Sequence, residues 1–280
     1  MIQANHAIFG ASFSVFRNGK GFYGSSVKAK RLGIFVFISI LTIAVIFSEA
    51  PTAYASACCQ LSYAFSDICS AISGVPYSSS KVFHNKKNQE MKIALTFDDG
   101  PHPIYTPIIL DILKEYGIHA TFFMVGENVA HYRDVAERVL TEGHEVGNHT
   151  YSHPHLLNMT YGTLLDEMLG CEDVLFTLSE YKPHLFRPPE GLVDKDVISI
   201  ADKLEYSVIL WNVDTRDWAN TPSDKIVENV IKNTDSGDII LMHDYIGYNS
   251  PTPEALRKYI PILLKKGFKF VTVSELLNAG

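Results

Sequence analysis

The chain has 280 residues, 46% of them apolar, enough for a sizeable core in one or two domains. Its net charge of −7, without long basic runs, argues against nucleic acid as a partner, because phosphate binding needs clustered Lys and Arg. Four cysteines with no Cys-x-x-Cys spacing argue against a thiolate zinc site.

Residues 1–31 carry Arg17, Lys20, Lys28, Lys30 and Arg31 and no acid. The run from Leu32 to Phe47 has no charge, and Ala53-Tyr54-Ala55 and Ala55-Ser56-Ala57 follow as small-x-small sites. Residues 1–57 therefore read as a basic leader with a signal peptide or membrane anchor. That places the protein outside the cell or anchored on the outer face of the cytoplasmic membrane. Export would permit a bridge from Cys58 or Cys59 to Cys69, though spacing alone does not show one. Leu61, Phe65, Ile68 and Ile72 share one helical face, and the polar Val75–Glu90 stretch reads as a linker. Residues 58–90 are thus a short helix and linker, and 91–280 the main domain.

Within that domain strands and helices alternate. Strands are expected at Lys92–Thr96, Ala120–Met124, Glu145–Gly147, Leu185-Phe186, Ser207–Val213, Asp238–Met242 and Phe268–Val271. Helices are expected at Ile104–Tyr116, Val129–Glu142, Tyr161–Ser179, Asp194–Lys203, Thr221–Asn233, Pro253–Lys266 and Val273–Leu277. The alternation implies a parallel sheet covered by helices, closed or open. Seven strands in about 190 residues favour an α/β fold of the distorted (β/α) barrel kind, with about seven parallel strands, over a full eight-unit barrel.

Polar clusters follow five of these strands: Asp98-Asp99, Asn148 to His153, Arg187 to Gly191, Asp214 to Trp218, and His243-Asp244. Parallel strands would bring all five to the C-terminal rim, where such folds place chemistry. Two adjacent carboxylates in one pocket need a cation or a shared proton. His149 and His153, four apart, can reach one metal, and with one carboxylate they leave positions open for water and substrate. His6, His84, His119, His131 and His184 read as structural, and His102, His144 and His155 as scaffold near the motifs.

Thr96-Phe97-Asp98-Asp99-Gly100-Pro101, His149-x-x-x-His153, Arg187-Pro188-Pro189-x-Gly191, Asp214-x-x-Asp217-Trp218 and Leu241-Met242-His243 together resemble the five motifs of the polysaccharide deacetylase family, the NodB-homology carbohydrate esterases. The resemblance spans about residues 92–273. It implies that Asp99, His149 and His153 hold one divalent metal, usually zinc, with cobalt or another divalent ion as the alternative. It makes Asp98 the general base, fixed by Arg187, and His243 the general acid, oriented by Asp217. The Glu190 backbone N–H would complete an oxyanion hole, and Trp218 and Leu241 would line the pocket for the acetyl methyl. Glu190 departs from the family, where many members have an aromatic residue, and its carboxylate is expected to repel acidic glycans.

The activity implied is removal of N-acetyl groups from an extracellular polysaccharide. Peptidoglycan N-acetylglucosamine leads and chitin oligosaccharides come next. On O-acetylated xylan the same site would act as an esterase. A catalytically silent glycan-binding protein would be marked by loss of Asp98 or His243, and both are present. Gly-x-Ser-x-Gly and phosphate-loop patterns are missing, so neither a serine hydrolase nor a nucleotide enzyme is indicated.

Overall fold

The computed structural model describes residues 82–278 apart from Asn158 and Tyr248. The leader, the signal or anchor, Cys58, Cys59, Cys69 and the helix over 61–72 lie outside the described residues. The strands are β1 (Val82–Phe83), β2 (Lys92–Asp98), β3 (Thr121–Met124), β4 (Glu145–Asn148), β5 (Leu185–Phe186), β6 (Ser207–Ile209), β7 (Val213–Asp214), β8 (Ile239–His243) and β9 (Lys269–Val271). The helices are α1 (Tyr105–Tyr116), α2 (Gly126–His131), α3 (Arg133–Thr141), α4 (Tyr161–Ser179), α5 (Lys195–Lys203), α6 (Ser223–Asn233), α7 (Thr252–Lys265) and α8 (Val273–Leu277).

The sheet has nine strands in the order β1-β6-β5-β4-β3-β2-β8-β7, with β9 also pairing β2, and every pair is parallel. It is a parallel sheet curled into a distorted barrel. Two features raise the count above the expected seven. The run over 207–213 is two strands, because Leu210 N–H leaves the line to donate to Phe83 O, while Asn212 N–H donates to Ile239 O. Val82-Phe83 and Asn85, read from sequence as part of a linker, join the sheet. β1 pairs with β6, Asn85 bridges to Asp238, and Lys86 N–H donates to Gly237 O at 2.8 Å. The stretch looks like a linker because its bonds are made by backbone and polar side chains.

The helix expected at Val129–Glu142 is also two. Tyr132 has φ −122° and ψ 48°, so it ends α2 through its N–H to Asn128 O and starts α3 through its carbonyl. α4 begins on Thr160, whose side chain accepts from Thr163 N–H, and α5 on Asp194, which accepts from Asp196 and Val197. Gly117 closes α1 at φ 62°, a left-handed position where Gly has no steric cost.

β2 organises the sheet. It pairs on both sides and is buried along almost its whole length, so it reads as a near-continuous apolar run. Strand periodicity sends Ile93, Leu95 and Phe97 into the core shared with the helices, while Ala94 joins the inner cluster with Phe123, Leu185 and Ile209. Thr96 and Asp98 follow Ala94 on that inner face. The reacting groups therefore sit inside the sheet's concave side, at the strand ends.

Candidate active site

Asp98 ends β2 and is 4% exposed. Its Oδ1 accepts from Arg187 Nη1 at 2.6 Å. Arg187 is fully buried, which a charge tolerates only with partners. It also donates to Thr96 Oγ1 at 2.8 Å, Ile209 O at 3.1 Å and Leu210 O at 3.2 Å, and its guanidinium lies 4.1 Å from the Phe123 ring centre. Burial lowers the pKa of this guanidinium and Asp98 opposes that. The pair is a fixed ion pair through Oδ1, and Asp98 Oδ2 lies 3.9 Å from His149 Nε2 at the cavity.

The next residue turns the chain. Asp99 takes φ 74°, and Asn128 Nδ2 donates to its carbonyl at 2.7 Å. Its Oδ1 lies 3.3 Å from His149 Nε2 and 3.1 Å from His153 Nε2. His149 Nδ1 donates to the Arg187 carbonyl at 2.7 Å, which turns Nε2 toward Asp99. The loop between the histidines holds left-handed residues at Thr150 (φ 67°) and His153 (φ 53°). Asn148 accepts from Thr150 N–H, and Glu167 of α4 accepts from Tyr151 N–H at 3.0 Å and Ser152 N–H at 2.8 Å. Glu167 thus clamps the loop that presents His153.

One atom from each of Asp99, His149 and His153 lies within 4.8 Å of the others. Asp99 Oδ1 is buried between the two imidazole Nε2 atoms, close to both but without hydrogen-bond geometry to either. Burial works against the Asp99 carboxylate, yet the two imidazoles outweigh it and hold its pKa well below the usual range. Asp99 in turn raises the His153 pKa. A divalent cation competes for the same lone pairs, and this mixed N₂O set suits zinc or cobalt. The residues fit the metal.

Facing them is the second pair. His243 ends β8, and its Nδ1 lies 2.7 Å from Asp217 Oδ1. Asp217, fully buried, also accepts from His243 N–H at 2.8 Å, Trp218 N–H at 2.9 Å and Thr252 Oγ1 at 2.7 Å. Burial alone would lower the His243 pKa. The Asp217 hydrogen bond and charge overcome that, with help from Asp98 and Asp99, and push it up to about 9.

A cavity of about 470 Å³ gathers Asp98, Asp99, His149, His153, Glu190, Trp218, Leu241 and His243 with Trp211 and Asp214. Arg187 and Asp217 stand behind it, bonded to Asp98 and His243. All ten residues singled out from sequence thus converge. Leu241 is 2% exposed and Trp218 52%, so one is wall and the other rim. Trp211 and Asp214 were not singled out. Trp211 sat in an apolar strand pattern, and Asp214 was the unassigned first acid of its motif. Trp211 underlies the turn over Pro189–Gly191, where a Cβ on Gly191 would stand 2.8 Å from its ring.

A sequence profile described as polysaccharide deacetylase matches residues 85–209. The chain is 45% identical over 193 residues to a peptidoglycan-N-acetylglucosamine deacetylase of Bacillus cereus, covering 68% of this chain and 90% of that protein. The chain belongs to the polysaccharide deacetylase family. The crystal structure of a peptidoglycan N-acetylglucosamine deacetylase with 4-naphthalen-1-yl-N-oxidanyl-benzamide superposes on this deacetylase with TM-score 0.69 and 34% identity, covering 74% of this chain and 98% of that one. A family 4 acetyl xylan esterase from Clostridium thermocellum, solved with a cobalt ion, gives TM-score 0.62 and 34% identity over 66% of this chain and 89% of its own.

Proposed function

We propose that this polysaccharide deacetylase removes N-acetyl groups from an extracellular glycan, peptidoglycan N-acetylglucosamine first and chitin oligosaccharides second. The observation that carries the reading is one cavity holding an Asp99-His149-His153 cluster, an Arg187-held Asp98 and an Asp217-held His243. Similarity to peptidoglycan and chitooligosaccharide deacetylases supports the substrate class. The basic leader, apolar run and small-residue sites support secretion or anchoring on the outer face of the cytoplasmic membrane. No helix among the described residues is long and apolar enough to cross a membrane.

Asp99, His149 and His153 are the ligands in this reading, with zinc as the metal and cobalt as the alternative. When bound, the metal supplies a water of pKa about 7 and a polarised acetyl carbonyl. Asp98 takes the proton of the attacking water, while Arg187, bonded to its Oδ1, orients it and compensates its charge. The Glu190 backbone N–H receives the developing oxyanion, a contact worth about 3 kcal/mol. His243 gives its proton to the leaving amine, which could not depart as an anion. Trp218 and Leu241 bound the acetyl methyl.

The test is acetate release by the zinc-loaded protein from N-acetylglucosamine oligomers and from peptidoglycan. Release from one or both, abolished by a chelator and by Asp98→Asn, is the expected result. No release from either, with binding of both that ignores Asp98→Asn, would leave a glycan-binding protein instead.

A further inference from the structure

Asp244 follows His243 directly and has no part in the reaction above. It is buried at 1% exposure, and that burial pushes its carboxyl up to about 7 against the pull of Thr106. Its hydrogen bonds go to the turn after β2. Its N–H donates to the Asp98 carbonyl at 3.2 Å, and its Oδ2 accepts from Thr106 Oγ1 at 2.5 Å. Thr106 Oγ1 accepts in turn from His102 N–H at 2.7 Å. Gly100 lies hard against the carboxyl: a Cβ there would stand 2.1 Å from Oδ2 and 2.3 Å from Oδ1. Oδ1 itself is buried without a hydrogen-bond partner among the described residues.

We infer that Asp244 is a positioning residue, wedged by its shape between the end of β8 and the turn over 98–106, which sets Asp98 and Asp99 against His149, His153 and His243. A third anion beside Asp98 and Asp99 would oppose both, so the wedge works best uncharged. The Gly100 backbone packs against both carboxyl oxygens and Thr106 binds one of them, so contact fixes the side chain on two sides. Removing the side chain frees Gly100 and Thr106 together, and the turn carrying base and ligand loses its stop on one side.

The inference rests on the reading of Asp99, His149 and His153 as ligands, so its first readout needs no turnover. Zinc alone is titrated into the full chain against a chromophoric chelator. Asp244→Ala is expected to weaken zinc binding about tenfold, the scale found when groups supporting metal ligands are removed. It should lower kcat for acetate release about a hundredfold, the cost of a displacement near 1 Å, with KM changed less than about threefold. Asp244→Asn keeps the shape without the charge and should stay within about threefold in all three quantities. Should Asp244→Ala fail to fold by circular dichroism, Thr106→Val removes the hydroxyl that joins Asp244 to His102 N–H and should weaken zinc binding in the same direction, about threefold. An Asn variant as damaged as the Ala variant overturns the inference, because charge would then be the active property. Wild-type zinc binding that Asp244→Ala and Thr106→Val leave intact overturns it too. Wild-type protein that binds no zinc overturns it together with the ligand reading.

Discussion

Strand β4 has a histidine at each end, and the two do different work. His144 stands just before it and His149 just after it, with exposures of 6% and 2%. His144 Nδ1 accepts from Ala120 N–H at 3.2 Å, and its ring meets those of His119 and Phe122 edge-on. Burial and the neighbouring His119 push its pKa down to about 4, so it stays neutral as a packing element. His149 is equally buried and has a second histidine 5.0 Å from it, centre to centre. What differs is Asp99, whose carboxylate stands between the two rings at the rim. Burial and histidine pairing are common to both ends, so the carboxylate and the open cavity separate a candidate metal site from a core contact.

The sharpest way to break that comparison is to remove each imidazole. His149→Ala should abolish zinc binding and cut acetate release about a thousandfold, the scale of several kcal/mol of lost charge stabilisation. His144→Ala should leave kcat within about threefold and lower the melting temperature, the change costing about 2 kcal/mol of packing. The pH dependence of stability separates them further. His144 takes up a proton more readily in the unfolded chain, so the native state loses stability as pH falls from about 6.5 towards 4. His144→Gln should flatten that slope in melting curves. Equal losses of activity from the two alanine variants would sink the distinction.

Asp217→Asn tests the other half of the rim. His243 is raised to about 9, so its proton, and the stability it confers, is fully present below about 6.5 and lost as pH rises through about 9. The substituted amide keeps a hydrogen bond and loses the charge. The basic limb of the kcat/KM profile should move from about 9 towards the ordinary histidine value of about 6.5. At pH 8, kcat/KM should fall by about thirtyfold, as the protonated share of His243 drops with that shift. A basic limb that stays where it is would remove His243 from the acid role.

The strands and the rim clusters were legible because parallel strands buried on both faces read as apolar runs, and polar residues after each run stand out against them. Ile93-Ala94-Leu95 announces β2, and Asp98-Asp99 announces its end. The residues that hold the site were harder to read. Glu167 clamps Tyr151 and Ser152 from α4, and a glutamate on a helix gives no sign of where its carboxylate goes. Asn85 and Lys86 resemble a linker because their partners, Asp238 and Gly237, lie about 150 residues away. Asp244 did carry a signal, a second acid at a strand end, but only the close approach of Gly100 gives it meaning.

The smallest expected effect concerns the rim outside the reacting groups. Both Glu190 oxygens lie 3.2 Å from His155 Nδ1, joining the loop after β4 to the turn after β5, and Asp214 adds a second acid to the cavity wall. Among the described residues, neither Lys nor Arg lines the cavity. A glycan carrying a carboxylate therefore meets repulsion of about 0.5 kcal/mol per charge through solvent at this exposed edge. Glu190→Gln should raise kcat/KM on an acidic N-acetylated glycan about two- to fivefold relative to a neutral chitin oligomer, and added salt should shrink the gain. His155→Ala, which uncovers the same carboxylate, should move the ratio the other way. If Glu190 only ties the two loops together, both variants would instead slow every substrate alike, and the ratio would not move with salt.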